Sequence, residues 1–438
     1  MKTLIDHVTV LSMDSQGHVY PDGYVLFDEE GILDVGEGGC RPEADVRVDG
    51  HQGILMPGMI NIHSHIPMAP FRSMGDDCPD RLKRFLFPLE REAMTPELVY
   101  VSSRYAVCEL LLSGVTSVLD MYYFEGQVAK ACDQMGIRAW VGQTVIGQGT
   151  CDSRWPYGGL ALCEELIRAW RGHGRIHPLV APHATNTNSP EKLKEAYRLA
   201  EEYGVLFTLH ASEMDYEMGH FRERYQQTPI GFLDSLGVLG PQTIAAHCIH
   251  ITGQDIRLLA ESKTKVAHCP GSNTKAGKGV SPVYELRQAG VDVGVGSDGP
   301  SSGNTLDLFT QFKMTACLQK TKYHDRGIFP AKEIVMMGTM GGARALGAEK
   351  EIGSLEPGKQ ADMVLLETGS ANMFPIYNPY SAVVYSANAS NVDSVWVGGR
   401  QLVAGGRLTH TDLQKERESL SKAMGAFKAM AQKYADII

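Results

Sequence analysis

The sequence predicts an α/β chain built as a (β/α)8 TIM barrel, with a small β-sandwich assembled from both ends of the chain. Three observations carry that prediction. The middle of the chain alternates continuous apolar runs with capped helical patterns, and eight candidate strands fall between Ile54 and Gly299. The two end segments share a different, hairpin-rich texture. Roughly 250 residues is the usual size of eight βα units.

Residues 1–57 read as short strands and turns. Tyr24-Val-Leu-Phe27 and Ile32-Leu-Asp-Val35 flank Asp28-Glu-Glu-Gly31, a hairpin signal with Gly31 in the turn. Residues 357–410 repeat that texture with Asp362-Met-Val-Leu-Leu366, Val392-Asp-Ser-Val-Trp-Val397 and a turn at Gly398-Gly399. The two stretches are therefore expected to pair into one discontinuous β-sandwich domain beside a barrel of residues 58–356. Within that barrel, the runs at 116–120, 137–141, 205–209, 243–246 and 291–295 are too apolar for half-exposed strands, and suit a parallel sheet buried on both faces. Helices between them have proper ends. Ser189-Pro190-Glu191 supplies an N-cap, a proline at N1 and an acid in the first turn; Leu193, Ala196, Tyr197, Ala200 and Tyr203 share a face, and Gly204 stops the helix. Thr95-Pro96-Glu97 opens another helix in the same way, and Thr252 with Asp255 forms a capping box. Residues 411–438 predict one charged amphipathic helix whose polar face mixes both signs, suited to docking on the core or on a second copy rather than on a membrane.

Composition narrows the function. The chain carries 41 basic and 51 acidic residues, a net charge of −10, which gives no electrostatic footprint for nucleic acid or anionic lipid. Nine cysteines without paired spacing predict a reducing compartment and buried free thiols. Asp6 and His7 interrupt any signal-peptide core, and no uncharged apolar run approaches the roughly 20 residues of a spanning helix. The expectation is a cytoplasmic protein with a small-molecule partner, without nucleic-acid or membrane partners, and with homo-oligomerisation left open.

Fifteen histidines are present, and several close a predicted strand. His63 and His65 end the first, His210 the fifth and His247 the sixth, while Asp298 ends the eighth. Strand C-termini of a barrel converge on one face, where catalytic groups collect. Residues two apart on a strand share a side, so His63 and His65 make a ready chelate for a divalent metal, with His210 and Asp298 completing three nitrogens and one oxygen. Any one of these histidines reads more simply as a hydrogen-bonded structural residue; the coincidence of four with barrel geometry favours the metal. His7, His51, His173, His177 and His324 read as surface or loop.

Pro57-Gly-Met-Ile-Asn-Ile-His63-Ser-His65, His210-Ala-Ser-Glu213, Ala246-His247-Cys-Ile-His250, His268-Cys-Pro-Gly-Ser-Asn273 and Gly296-Ser-Asp298-Gly resemble the amidohydrolase superfamily, in particular its branch of adenosine/S-adenosylhomocysteine-type deaminases and triazine hydrolases. The closing Gly353-Ser-Leu-Glu-Pro-Gly-Lys-Gln-Ala-Asp362 belongs to the same resemblance, which covers nearly the whole chain. It implies that His63, His65, His210 and Asp298 bind one divalent ion, Zn²⁺ with Fe²⁺ as the alternative, that His247 positions the attacking water, and that Glu213 shuttles the proton. A bound divalent ion can lower the pKa of water from 15.7 to about 7, and Asp298 could accept the water's proton and deliver it to departing ammonia. Binuclear relatives bridge two ions with a carboxylated lysine at the end of the fourth strand; here Ile176-His-Pro-Leu-Val-Ala-Pro-His183 has none, which favours a single ion. His183 is then free to contact substrate.

The implied reaction is hydrolytic deamination of an amino-substituted N-heterocycle, a purine nucleoside of adenosine type foremost, with a triazine, pterin or free purine as alternatives. Phe87-Pro-Leu-Glu90 resembles the segment whose glutamate binds both ribose hydroxyls; Ser302 and Asn304, beyond Asp298, are further candidate substrate contacts. Three departures tell against a homocysteine tail. Arg81-Leu-Lys-Arg84 stands where the family has a tryptophan, Gly142-Gln143 and Leu160 replace two arginines, and Ala184-Thr-Asn-Thr-Asn188 lacks an aromatic. Among rivals, Gly294-Val-Gly-Ser-Asp-Gly299 mimics a dinucleotide fingerprint, but Pro300 follows where a helix should open. Gly271-Ser-Asn-Thr-Lys-Ala-Gly-Lys-Gly279 misses the spacing of a phosphate loop, and a non-catalytic scaffold would be expected to have lost metal ligands.

Overall fold

A computed structural model of the chain describes residues 1–39 and 41–436. Four strands come first: β1 (Thr3–Leu11), β2 (Val19–Phe27), β3 (Ile32–Glu37) and β4 (Val46–Pro57). Eight parallel strands follow: β5 (Met59–Ser64), β6 (Val115–Tyr122), β7 (Arg138–Val145), β8 (Ile176–Pro182), β9 (Phe207–Ala211), β10 (Thr243–His247), β11 (Lys265–His268) and β12 (Val293–Val295). They neighbour one another in chain order from β5 to β12 with helices between, a (β/α)8 barrel. Every residue of β6 and β7 is buried, as a parallel sheet covered on both faces requires. Leu119, Met121, Trp140, Leu179, Ala181, Ile244, Ala246 and Ala267, alternate residues of five different strands, meet in one buried cluster inside the barrel.

The seam between β12 and β5 is stitched where the site will lie. The Asp298 N–H donates to the His63 carbonyl (3.0 Å). Asn61 accepts from the Ser297 N–H (3.1 Å) and donates to Ser297 Oγ (2.7 Å). The glycines of the dinucleotide look-alike sit on this seam. A Cβ on Gly296 would come within 2.9 Å of His63 Cβ, and one on Gly299 within 3.0 Å of His65 Cβ. Their spacing serves close packing against β5.

The chain then returns through β13 (Met363–Leu366), β14 (Val392–Val397), β15 (Arg400–Ala404) and β16 (Arg407–Leu408), giving one hydrogen-bonded sheet in the order β16-β15-β14-β13-β4-β1-β2-β3. Phe27 on β2 and Trp396 on β14 are four strands apart, about 19 Å in a flat sheet. Their ring centroids are 6.2 Å apart, so the sheet folds over on itself and closes a sandwich core around Ile5, Val25, Leu55 and Met363. Arg138 on β7 joins this layer to the barrel by two bonds to Asp362 (3.0 and 3.2 Å), both side chains buried. Removing one partner strands the other charge, so Asp362→Ala is expected to cost about 3–5 kcal/mol in a urea-unfolding experiment. A loss under about 1 kcal/mol would deny the pair that role.

Several local expectations meet the structure directly. Ser189 accepts from the Lys192 N–H, Gly204 ends that helix at φ +65°, and Thr252 with Asp255 forms the capping box. Other details differ. The C-terminal segment is two helices, Leu413–Ala423 and Gly425–Ala431, broken at Met424 ahead of Gly425. The break lets Phe427 bury against Phe71 (4.8 Å) while Glu416 pairs with Arg104, so the segment docks on the barrel; Ile437 and Ile438 lie outside the described residues. Among the described cysteines, all of them free, five are buried, whereas Cys78 and Cys151 are half-buried and Cys317 is exposed on the outer face of the helix Leu308–Tyr323. Cys40 lies outside the described residues. His177 is in β8 rather than a loop, stacked on Trp140 (4.6 Å) across the β7–β8 register. No helix among the described residues is long and apolar enough to cross a membrane.

Candidate active site

The C-terminal ends of the barrel strands bring the expected histidines together. His65 donates its Nδ1–H to the Met121 carbonyl (2.6 Å), and His210 donates its own to the His183 carbonyl (2.5 Å). A carbonyl only accepts, so each Nδ1 carries the proton and each Nε2 keeps its lone pair. Those Nε2 atoms face each other at 3.3 Å, and His65 Nε2 lies 3.3 Å from Asp298 Oδ1. His63 Nε2 is 3.9 Å from the same oxygen, and neither ring nitrogen of buried His63 has a hydrogen-bond partner. Burial pushes His63 and His210 well below the usual histidine range, so both rings are neutral.

Acceptors crowded against acceptors need a cation. A tetrahedral ion with bonds of about 2.0–2.1 Å has donor–donor edges of about 3.3–3.4 Å, which the His65–His210 and His65–Asp298 separations match. The donor set therefore fits a divalent metal ion. Two overlapping groups have their ligand atoms within 4.8 Å of one another, His63–His65–Asp298 and His63–His210–His247. Asp298 is held by Ser272 Oγ–H on Oδ2 (2.5 Å) and by the Gly299 N–H on Oδ1 (2.7 Å). Such outer contacts orient ligands and are expected to matter to metal affinity. Asp298 and His247 both have left-handed backbones, at φ +59° and +72°, a strain of about 1–3 kcal/mol each that the surrounding structure must hold.

His247 is buried, with Nδ1 bonded to Asn273 Oδ1 (2.8 Å) and Nε2 unpartnered 3.6 Å from Glu213 Oε1. Lys278 Nζ donates to that Glu213 oxygen. Burial raises Glu213, yet the neighbouring His247 ring and the Lys278 ammonium outweigh it and hold the carboxyl well below the usual range. A cavity of about 530 Å³ opens over these groups. Its wall includes His65, His183, His210, Glu213, Asp298 and Ser302, and it extends to Glu90. Burial lowers His183 to about 4, leaving a neutral ring on the cavity wall. Glu90 accepts from the Tyr122 hydroxyl (2.7 Å), and burial pushes it up to about 7.

Asn304 stands differently from the direct substrate contact expected of it. Its amide donates to Asp76 (2.6 Å) and its oxygen accepts from Lys275 (2.9 Å), so it reaches the cavity only through those two lining residues. Lys278, Asn273, Ser272, Tyr122 and Asn61 escaped sequence reasoning as site residues. Asn273 and Ser272 fell inside a quoted motif, and Lys278 inside the rejected phosphate-loop look-alike.

A parallel barrel with a buried imidazole–carboxylate donor set at its C-terminal mouth, facing a cavity, is the arrangement of a barrel hydrolase. The chain belongs to the amidohydrolase family, which it matches over residues 54–402. It is 36% identical over 428 residues to the 5-methylthioadenosine/S-adenosylhomocysteine deaminase of Moorella thermoacetica, covering 97% of this chain and 99% of that one. It is 37% identical over 390 residues to the 5'-deoxyadenosine deaminase of Methanothermobacter thermautotrophicus, covering 88% and 90%. The crystal structure of an adenosine deaminase from Xanthomonas campestris with bound zinc superposes with a TM-score of 0.94 at 30% identity, over 98% of each chain. A triazine hydrolase from Arthrobacter aurescens shares the fold, with a TM-score of 0.90 at 22% identity over 97% of this chain and 99% of that one.

Proposed function

We propose that this protein is a cytoplasmic, zinc-dependent deaminase of adenosine-type nucleosides, releasing ammonia by hydrolysis. The observation that carries the reading is one cavity with a metal-ligand set and the Glu213–His247 pair at one end and the buried Glu90–Tyr122 pair within reach of the same space. His63, His65, His210 and Asp298 would hold a divalent ion, which would supply Lewis acidity and lower the pKa of water toward neutral. The residues do the rest. His247 Nε2 presents a lone pair that orients the water. Glu213, ionised at rest, takes a proton from it and passes the proton to the ring nitrogen beside the attacked carbon, while Asp298 carries the second proton to the leaving amine. His183, a neutral ring, accepts or donates one hydrogen bond to the heterocycle.

Glu90 offers its remaining acceptor positions to vicinal hydroxyls. Gln143 is uncharged and spends its amide on Asp152 (2.7 Å), which favours a nucleoside with a small 5' substituent over one with a charged amino-acid tail. For Glu90→Gln, the expected result is a KM for nucleosides raised about 10- to 100-fold with free bases unaffected; equal effects on both would remove the ribose contact. Because a carboxyl must be ionised to accept two hydroxyls, nucleoside KM is also expected to rise as pH falls below about 7, with no matching rise for free bases. The test of the whole reading is an ammonia-release screen over nucleosides, bases, pterins and triazines. Release from adenosine-type nucleosides ahead of the other classes supports it, and release from none of them overturns it.

A further inference from the structure

The run Gly271–Gly279, whose spacing fails as a phosphate loop, supplies a brace to each group that orients the water or moves a proton in the proposed reaction. Ser272 Oγ holds Asp298, Asn273 Oδ1 holds His247, and Lys278 Nζ holds Glu213 Oε1. Ser272 and Asn273 lie on the short helix Pro270–Lys275. Lys278 lies three residues past its end, with its backbone N–H bonded to the Asn273 carbonyl (2.9 Å). The turn that sends Lys278 inward continues through Gly279 at φ +118°, where a Cβ would meet Ile249 Cγ2 at 3.1 Å. Lys278 is only 15% exposed and lines the cavity beside Glu213. A lysine that buried requires a partner, and its partner is Glu213.

We propose that Lys278 is a positioning residue that aims Glu213 for proton transfer. With the ammonium on Oε1, the travelling proton is confined to Oε2. That oxygen takes a proton from water as the water oxygen bonds to the ring carbon, then gives it to the adjacent ring nitrogen, and the carboxylate is restored. Without Lys278 the carboxylate is free to turn about its last torsion, and both oxygens compete for the water. The proposal rests on the deaminase reading, so wild-type turnover on a substrate from the screen is established first; absence of any turnover would fail that reading and not this one.

The experiment is a double-mutant cycle between Lys278→Met and Glu213→Gln, with kcat, KM, metal content and circular dichroism measured for each variant. Lys278→Met is expected to lower kcat about 10²-fold with KM within about threefold and the metal retained. Lys278→Arg, which restores a cationic donor, is expected to recover kcat to within about tenfold of wild type. In the Glu213→Gln background, removing Lys278 is expected to cost less than about threefold more. Losses that multiply, an unchanged kcat in Lys278→Met, or loss of metal from that variant would each overturn the proposal. If Lys278→Met does not fold, Lys278→Gln carries the same cycle and the same criteria.

Discussion

Replacing His210 with alanine is expected to abolish turnover and strip the metal from the protein. The side chain is one of the four proposed donors, and its Nε2 lies 3.3 Å from that of His65. Loss of an outer-shell partner alone typically costs 10- to 100-fold in metal affinity, and loss of a direct ligand costs more. Activity should fall by more than about 10³-fold, since several kcal/mol of charge stabilisation leave with the ion. Fold should survive, because the β9–β10 pairing at Ala246–His210 uses backbone atoms that alanine keeps. Metal analysis and ammonia release on the purified variant check this; wild-type rates with full metal would mean that the ligand set is misassigned.

Asp298→Asn is expected to be as severe in rate but milder in metal content. An asparagine has the same shape; with its oxygen in the Oδ1 position it still accepts the Gly299 N–H, and its amide can donate to Ser272 Oγ. It loses the negative charge that faces His65 and His63, and with it the base proposed to carry a proton to the leaving amine. Turnover should drop more than about 10³-fold while a measurable fraction of the metal remains. The contrast between the two variants separates a residue that only binds from one that binds and moves a proton. Loss of metal without a further loss of rate, once metal is added back in excess, would reduce Asp298 to a ligand.

Much of this was legible before any coordinates. Strands buried on both faces lack a regular polar–apolar alternation, so β6 and β7 announced a parallel sheet, and histidines and an aspartate at the ends of such strands pointed to function. The sandwich followed from texture at two distant segments, although the fold-over that brings Phe27 to Trp396 depends on sheet curvature, which no local pattern encodes. Lys278 was hidden for a different reason: its partner Glu213 is 65 residues away, and its own neighbourhood spells a failed motif. Gly296 and Gly299 show the opposite case: glycine that clears room for His63 and His65 looks in sequence like glycine that clears room for a pyrophosphate, and Pro300 tells the two apart. Asn304 and His177 show the same limit. Both were placed by their neighbours in sequence, while Asp76 and Trp140, their actual contacts, arrive from other loops and strands.

The account depends most on a single ion held by three imidazoles and one aspartate. Metal-depleted protein titrated with Zn²⁺, with ammonia release followed at each addition, tests that directly. Activity is predicted to rise from near zero in proportion to added metal and to level off at one equivalent per chain. A plateau at two equivalents, or full activity before any metal is added, would contradict it.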